Sequence, residues 1–277
     1  MRLSKLIMFE DRTEAGRVLA DKLTAYTGRA DVVVLALPRG GVPVGFEVAR
    51  SLGVPLDVCS VRKLGVPGHE ELAMGAIAGH GTRVVNQDVV EQLGIPEPAI
   101  DAVAAAEQQE LERREGAYRD QLPRPEVRGK VVILVDDGLA TGSSMRAAVA
   151  AIRQQQPARV VVAVPAGTES VCQELERDAD QVVCASTPEP LMAVGQAYRN
   201  FEQTTDEEVR RLLHAAGAAG AARDEPPAAG PTGVGPGTGV GTAGTGTTTA
   251  PADTGNFDGT PKDATDQADA QAPRSRP

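Results

Sequence analysis

The segment VVILVDDGLATGSSM, residues 131–145, joins an apolar run to a polar loop and decides the fold of the chain. Its first five residues, Val131–Val135, are all apolar and predict a strand buried on both faces. Two carboxylates, Asp136 and Asp137, follow directly, and a helix is predicted from about Ser143. Ligands of open α/β sheets bind outside the carboxyl ends of the strands. The segment therefore predicts both a parallel sheet and a ligand site at its edge.

The loop behind the carboxylates has the chemistry of a site for a phosphorylated sugar. Two glycines allow close backbone approach, and three hydroxyl side chains follow within the same stretch. Free N–H groups and the dipole at the start of a helix favour a phosphate. Acceptors for hydroxyls followed by donors for a phosphate match a ribose 5-phosphate. A Walker A loop is excluded because no Gly-Lys-Ser/Thr follows, and the alternative is that Asp136 and Asp137 are only turn or cap residues.

The rest of the chain up to about residue 216 alternates apolar, β-branched runs with helical patterns. This alternation predicts an α/β fold with a mostly parallel central sheet flanked by helices on both faces. The predicted strands are 31–37, 56–61, 130–135, 159–165 and 181–184. The predicted helices are about 12–26, 42–52, 97–118, 143–155, 168–177 and 206–215. A hairpin is expected over 72–86, around the glycines at 79 and 81.

Composition changes near residue 217, where Gly, Ala, Thr, Pro and Asp take over and large apolar residues almost vanish. Such a segment cannot bury enough surface to offset its ordering entropy. The sequence therefore predicts one α/β domain over 1–216 and a disordered tail over 217–277.

Charge and composition narrow the classes of function. The 38 acidic and 28 basic residues give a net charge of −10, which argues against broad binding to nucleic acid or anionic membranes. Apolar runs are too short to span a membrane, and the first residues are too polar for a secretory signal. The three cysteines, Cys59, Cys172 and Cys184, lack metal-ligand spacing. They are expected to be reduced, mostly buried thiols in a cytoplasmic protein.

Residues 131–145 resemble the phosphoribosyl-pyrophosphate motif of type I phosphoribosyltransferases, which has an apolar strand, two acidic residues and a loop ending in Thr-Gly. The resemblance implies that Asp136 and Asp137 hold the ribose 2′- and 3′-hydroxyls. It also implies Mg²⁺ as cofactor, contacted by these two carboxylates mainly through substrate or water. The residues expected to wrap the 5′-phosphate are Gly138, Leu139, Ala140, Thr141, Gly142 and Ser143.

Two further segments are similar to the family in the expected order. ALPRGGVPVG, residues 36–45, resembles the pyrophosphate loop, in which Arg39, Gly40 and Gly41 would contact the diphosphate. Taken alone, the two glycines would be an ordinary strand–helix turn. SVRKLGVPGHEELAMG, residues 60–75, resembles the mobile catalytic loop that closes over the substrate. Its cations, Arg62 and Lys63, are the expected catalytic residues, with a solvated surface pair as the alternative.

The stretch 186–209 resembles the C-terminal part of bacterial phosphoribosyltransferase-like proteins without a settled acceptor. Tyr198 and Phe201 would stack on the acceptor there, or would simply pack the last helix against the sheet. Ala140 departs from the hypoxanthine- and guanine-type members, which carry an Asp at this position as a candidate general base. This departure weakens an oxopurine acceptor, whereas adenine-type enzymes tolerate Ala.

The resemblance implies a Mg²⁺-dependent enzyme, with a homodimer as its expected assembly. It would bind phosphoribosyl pyrophosphate and transfer the ribose 5-phosphate to a small-molecule acceptor, releasing pyrophosphate. No nucleic-acid or membrane partner is expected. A ligand sensor or regulator of the same fold, binding without turnover, is the alternative. Hydrolysis of a ribose phosphate ester is a third possibility, which would need a residue that activates a water molecule.

Overall fold

A computed structural model describes residues 8–79, 82–119 and 125–224 of the chain, apart from the side chains of residues 71, 119 and 219–224. Five parallel strands form its main sheet: β1 (Val32–Ala36), β2 (Leu56–Val58), β6 (Val131–Val135), β7 (Arg159–Ala166) and β8 (Gln181–Ser186). Their order across the sheet is β2-β1-β6-β7-β8. All five predicted strands are present, and the predicted parallel α/β fold is confirmed.

Helices cover both faces of this sheet because alternate strand residues point to opposite sides. In β1, Val33 and Leu35 pack with one core cluster, and Val32 and Val34 pack with another. The first cluster includes residues of α5 (Ser143–Gln154) and α6 (Glu169–Leu175). The second includes residues of α1 (Arg12–Asp21) and α2 (Gly41–Leu52). The apolar strand sequences are therefore explained by burial on both faces.

Two helices lie near the β2 edge of the sheet. The long helix α4 (Glu97–Arg119) and the last helix α7 (Asp206–Asp224) share a core cluster there through Tyr118 and Leu213. A further helix, α3 (Gln87–Leu93), was not predicted, although Asn86 caps its start by accepting a hydrogen bond from the N–H of Val89.

A second, three-stranded antiparallel sheet begins in the segment 60–75, where a mobile loop was predicted. Its strands are β3 (Val61–Val66), β4 (His69–Ala78) and β5 (Thr82–Val85), in that order. The buried side chains of Leu64, Met74 and Ile77 pack with Leu111 of α4. The prediction of a loop was wrong here because apolar residues anchor the segment. The predicted hairpin over 72–86 is present as β4 and β5, with residues 80 and 81 outside the described part.

The prediction of three reduced thiols is also wrong. Cys172 of α6 and Cys184 of β8 form a disulfide, with their Cα atoms 6.9 Å apart. The two residues are 12 positions apart in sequence, and the packing of α6 beside β8 brings them together. Cys59, which follows β2, is buried.

The last helix runs past the predicted domain limit. α7 continues to Asp224, so residue 216 lies inside this helix. The buried residues on its inner face are Val209, Leu212 and Leu213. Residues 225–277 of the predicted tail lie outside the described part of the chain. None of the described helices is long and apolar enough to cross a membrane.

Deletion of residues 225–277 is expected to leave the melting temperature unchanged. The deleted segment carries almost no large apolar side chain that could add to the core. Thermal unfolding of the full-length and shortened chains checks this expectation. A truncation after Ala216, which removes the end of α7, is the comparison, and only this shorter form should lose stability. A lower melting temperature for the 1–224 chain would contradict the expectation.

Candidate functional site

The candidate site residues follow two neighbouring strands, β1 and β6, and lie at the carboxyl ends of these strands. β1 and β6 pair in parallel, from Val32 with Val131 to Ala36 with Val135, so their carboxyl ends lie side by side. The segment 37–41 follows β1, and the acidic pair, Asp136 and Asp137, follows β6. An open cleft of about 250 Å³ lies here, lined by residues 136–145 and Val194.

The two carboxylates are held in fixed orientations. Oδ1 of Asp136 accepts a hydrogen bond from the backbone N–H of Asp137 at 2.8 Å. Oδ2 of Asp137 is contacted twice by Arg12, whose Nε donates at 2.9 Å and whose Nη2 lies at 2.8 Å. Within the described contacts, the second oxygen of each carboxylate remains for a ligand. Two acceptors side by side suit two vicinal hydroxyls.

The two glycines after β1, Gly40 and Gly41, lie so close to the acidic pair that a side chain would not fit. A Cβ atom on Gly40 would overlap Oδ2 of Asp137, and one on Gly41 would lie 2.8 Å from the carbonyl oxygen of Val135 and 2.9 Å from Cα of Asp136. Both distances are far shorter than normal contacts, so only glycine fits without a shift. The segment predicted as a pyrophosphate loop is therefore packed directly on the acidic pair. The peptide bond between Pro38 and Arg39 in this segment is cis.

The loop predicted to hold a phosphate is a turn that leads into α5. Gly142 precedes the helix in the left-handed conformation, with a φ of 71°. The hydroxyls of Thr141 and Ser143 lie 3.1 Å apart on the exposed side of the loop. Nη2 of Arg146 donates to the carbonyl of Thr141 at 3.0 Å, and Glu174 of α6 anchors the same guanidinium. The N–H of Ser143 donates weakly to Oγ1 of Thr141 at 3.4 Å. The first turn of α5, with its N–H groups and the nearby cation, is a favourable environment for an anion.

The predicted cations are distributed over different places. Arg39 forms a 3.6 Å ion pair with Asp206 at the start of α7. Arg62 of β3 donates to Glu107 of α4 and lines a cavity of about 120 Å³ together with Asp136. Lys63 is exposed and alternates to the other face of β3. The structure therefore brings Arg62, but not Lys63, to the wall of the cavity beside the acidic pair.

The two aromatic residues proposed for the acceptor differ in exposure. Tyr198 is only 5% exposed, and its hydroxyl donates to the backbone carbonyl of Asp137 at 2.6 Å. Phe201 is 38% exposed, and its ring centroid lies 5.0 Å from that of Tyr198. Tyr198 therefore fixes the backbone of the acidic pair, whereas Phe201 has ring surface open to solvent. Stacking of an acceptor on Phe201 stays a prediction.

Three arginines at the site were missed by the sequence interpretation. Arg12 binds Asp137, Arg146 braces the loop before α5, and Arg114 of α4 lines the same cavity as Arg62. Arg12 and Arg146 lie in or near the first turns of their helices, where a cation opposes the helix dipole. A basic residue at the start of a helix indicates a specific anionic or carbonyl partner. The sequence positions of Arg12 and Arg146 could therefore have marked them as site residues.

Burial dominates the electrostatics of the acidic pair. Desolvation raises the pKa of Asp136 well above its usual range, and the charge of neighbouring Asp137 raises it further. Desolvation also raises the pKa of Asp137, although Arg12 opposes that rise. Burial and the nearby carboxylates raise the pKa of Tyr198, so its hydroxyl stays a donor. The pair thus carries an energetic cost that a bound cation or hydroxyl group would relieve.

The raised pKa of Asp136 predicts a pH-dependent stability. The folded protein binds a proton at Asp136 over a range where the unfolded chain has lost it, so the free energy of unfolding falls as pH rises from about 4 through the raised pKa. Asp136→Asn removes the ionisable group. We expect this variant to melt at a higher temperature than the wild type at pH 8, with no such advantage at pH 3.5.

Thermal unfolding at both pH values, without added metal, checks this expectation. Asp101→Asn is the control, because Asp101 is an exposed residue of α4 and pairs with Arg83. The control should keep the pH dependence of the wild type. A variant at position 136 that gains nothing at pH 8 would contradict the argument.

Comparisons with known proteins agree with this geometry. The model of the phosphoribosyl transferase domain family matches residues 10–196. Two Mycobacterium tuberculosis proteins, MT0597 and Rv0571c, are each 48% identical over 226 residues and are named, provisionally, as phosphoribosyl transferases. The aligned region covers 79% of this chain and 51% of each relative, so the chain spans about half their length.

A solved structure also has a similar fold. The protein TT1426 from Thermus thermophilus is 42% identical, with a TM-score of 0.69 over 74% of this chain and 97% of its own. The family match covers all three motifs and the acidic pair at the end of β6. The chain therefore belongs to the phosphoribosyl transferase domain family.

Proposed function

We propose that this protein binds phosphoribosyl pyrophosphate with Mg²⁺ and transfers the ribose 5-phosphate to a small acceptor, with nucleobases as the first candidates. The observation that carries the proposal is the cleft in which two adjacent carboxylates face a loop at the start of a helix. Along the chain, the carboxylates would accept hydrogen bonds from the ribose hydroxyls first, and the N–H groups of the following loop would donate to the phosphate. This is the order that the substrate requires.

Each part of the site would have a separate role in this reaction. Asp136 and Asp137 would accept hydrogen bonds from the ribose hydroxyls, and the loop 138–143 would bind the 5′-phosphate through N–H groups at the start of α5. Arg39 and Arg62 would stabilise negative charge on the departing diphosphate. Rate enhancement would come mainly from positioning the sugar and from charge stabilisation.

The residues of the acidic pair fit Mg²⁺ as a partner of the substrate. The described part of the chain holds no group of three or more His, Cys, Asp or Glu that could form a protein-only metal site. Two carboxylates together with substrate oxygens are a usual environment for Mg²⁺. The charge cost of burying Asp136 and Asp137 is consistent with this assignment. When bound, Mg²⁺ would supply positive charge to the diphosphate oxygens.

A sensor that binds the same ligand without turnover is the second candidate function. The observation in its favour is the second sheet, which occupies the segment where a mobile catalytic loop was expected. Leu64 and Met74 of this sheet are fully buried, so it is anchored rather than open.

A turnover assay separates the two functions. Purified protein is incubated with phosphoribosyl pyrophosphate, MgCl₂ and single nucleobases, and pyrophosphate release is followed. The Asp136→Asn/Asp137→Asn variant measures the background. Base-dependent release by the wild type alone supports the transferase. Calorimetric binding without release for every base supports the sensor, and absence of binding contradicts both.

A further inference from the structure

The guanidinium group of Arg12 joins three parts of the molecule. It contacts Oδ2 of Asp137 through Nε and Nη2, and Nη1 donates to the carbonyl of Glu202 at 2.7 Å. Its Cζ atom also lies over the ring of Phe201, 4.0 Å from the centroid. The side chains of Arg12 and Asp137 are only 12% and 14% exposed, so their ion pair is largely shielded from water. Arg12 therefore connects α1, the acidic pair and residues 198–202, which we call the hood segment.

Local helix energetics do not account for a cation at this position. Arg12 is the first residue of α1, where the free N–H groups favour an anion and disfavour a positive charge. Asp11 already caps the helix by accepting a hydrogen bond from the N–H of Glu14. Arg17 on the same helix shows the ordinary arrangement, with a side chain that is 60% exposed and an ion pair to Glu47. Arg12 is therefore favoured by its tertiary contacts, among which the ion pair with Asp137 joins two opposite charges.

We infer that Arg12 is a positioning residue that fixes Asp137 for the ribose and couples occupancy of the ribose site to the rigidity of the hood segment. The inference rests on the proposed function, since it takes phosphoribosyl pyrophosphate as the ligand. Arg12 occupies Oδ2 of Asp137, so a ribose hydroxyl can donate to Oδ1 without displacing it.

When the sugar binds, the carboxylate of Asp137 would be held by Arg12 at Oδ2 and by a ribose hydroxyl at Oδ1. A carboxylate fixed by the ligand restricts the guanidinium that it binds, and the guanidinium restricts the ring of Phe201 and the carbonyl of Glu202. The planar group of arginine can serve the carboxylate and the ring together, which an ammonium group cannot. The N–H groups of Arg199 and Asn200 already donate to the carbonyls of Phe9 and Glu10. Sugar binding would therefore stiffen a hood segment that is already folded, before an acceptor arrives.

The test uses the full chain and two measurements. Calorimetry gives the affinity for phosphoribosyl pyrophosphate with MgCl₂, and hydrogen exchange follows peptides covering the hood segment with and without that ligand. The variants are Arg12→Gln, Arg12→Lys and Phe201→Leu. Arg17→Gln is the matched control, because it applies the same change to an ion-paired arginine of the same helix.

We expect the ligand to slow exchange of the hood segment in the wild type and in Arg17→Gln. Arg12→Gln should bind roughly 10- to 100-fold more weakly, because Asp137 loses its orientation, and its hood segment should no longer respond. Arg12→Lys should recover much of the affinity without recovering the response. Phe201→Leu removes the ring beneath Arg12 but keeps the contact to Asp137. Its loss of affinity should therefore be smaller than that of Arg12→Gln, and its hood response should be reduced.

The possible results distinguish a failure of the inference about Arg12 from a failure of the proposed function. A hood segment that still gains protection in Arg12→Gln, or that loses protection when the wild type binds, overturns the inference while the proposed function stands. A wild type that does not bind phosphoribosyl pyrophosphate overturns the proposed function and the inference together. Should Arg12→Gln fail to fold, Arg12→Lys and Phe201→Leu decide the question.

Discussion

The Asp136→Asn/Asp137→Asn variant is expected to lose measurable binding of phosphoribosyl pyrophosphate. Each carboxylate offers one oxygen for a ligand, and a hydrogen bond to a charged group contributes about 1.5–3 kcal/mol. Two such losses amount to roughly 3–6 kcal/mol, or about a hundredfold to ten-thousandfold in affinity. The variant should fold, because asparagine keeps the size of the side chain and its carbonyl oxygen.

Calorimetry with MgCl₂ measures this loss, and a second double variant controls for charge. Glu97→Gln/Asp101→Asn also removes two carboxylates, but these are exposed and bind Arg83 at the surface of α4. Its affinity for the ligand should equal that of the wild type. Equal affinity of the 136/137 variant and the wild type would show that the ligand site lies elsewhere.

Gly40→Ala is expected to weaken ligand binding by roughly 100-fold through steric displacement of the acidic pair. The added methyl group would overlap Oδ2 of Asp137, the oxygen that Arg12 holds through two contacts. Either the carboxylate leaves Arg12 or the segment after β1 moves away. Inserting a methyl group into a packed position should also lower the free energy of unfolding by about 1–3 kcal/mol.

A second glycine supplies the control for this substitution. Gly116 lies in α4, and a Cβ atom there would meet nothing within 4 Å. Gly116→Ala should raise the free energy of unfolding by about 0.5–1 kcal/mol, because alanine loses less backbone entropy in a helix, and should leave binding unchanged. Titration calorimetry and chemical unfolding of both variants test the pair of expectations. A Gly40→Ala protein that binds like the wild type would mean that the two loops separate readily.

The main sheet and the acidic pair could be predicted from sequence because their determinants are local. Apolar runs mark strands buried on both faces, and the carboxylates follow one such run directly. The contact between Arg12 and Asp137 spans 125 positions, so it depends on how α1 packs rather than on any pattern nearby. The disulfide between Cys172 and Cys184 likewise depends on the neighbouring positions of α6 and β8.

The hairpin of β4 and β5 was predicted, but strand β3 was missed because the nearby glycines and proline were given more weight than its alternation. Leu64 and Val66 alternate along β3, and Met74 and Ala76 alternate along β4, so the period of a strand is present in the sequence. Gly68, with a φ of 78°, marks a tight turn between the strands rather than a flexible hinge. A turn at 67–68 flanked by alternating apolar residues indicates a hairpin.

The pairing of Arg39 with Asp206 and of Arg62 with Glu107 has a consequence for how an anion would enter the site. An incoming diphosphate would replace the carboxylate partner of each arginine instead of neutralising a bare cation. Its gain is then a difference between two ion pairs, so affinity should depend only weakly on ionic strength. The released carboxylates belong to α7 and α4, and occupancy of the cleft would therefore change the charge presented on two helices at its border.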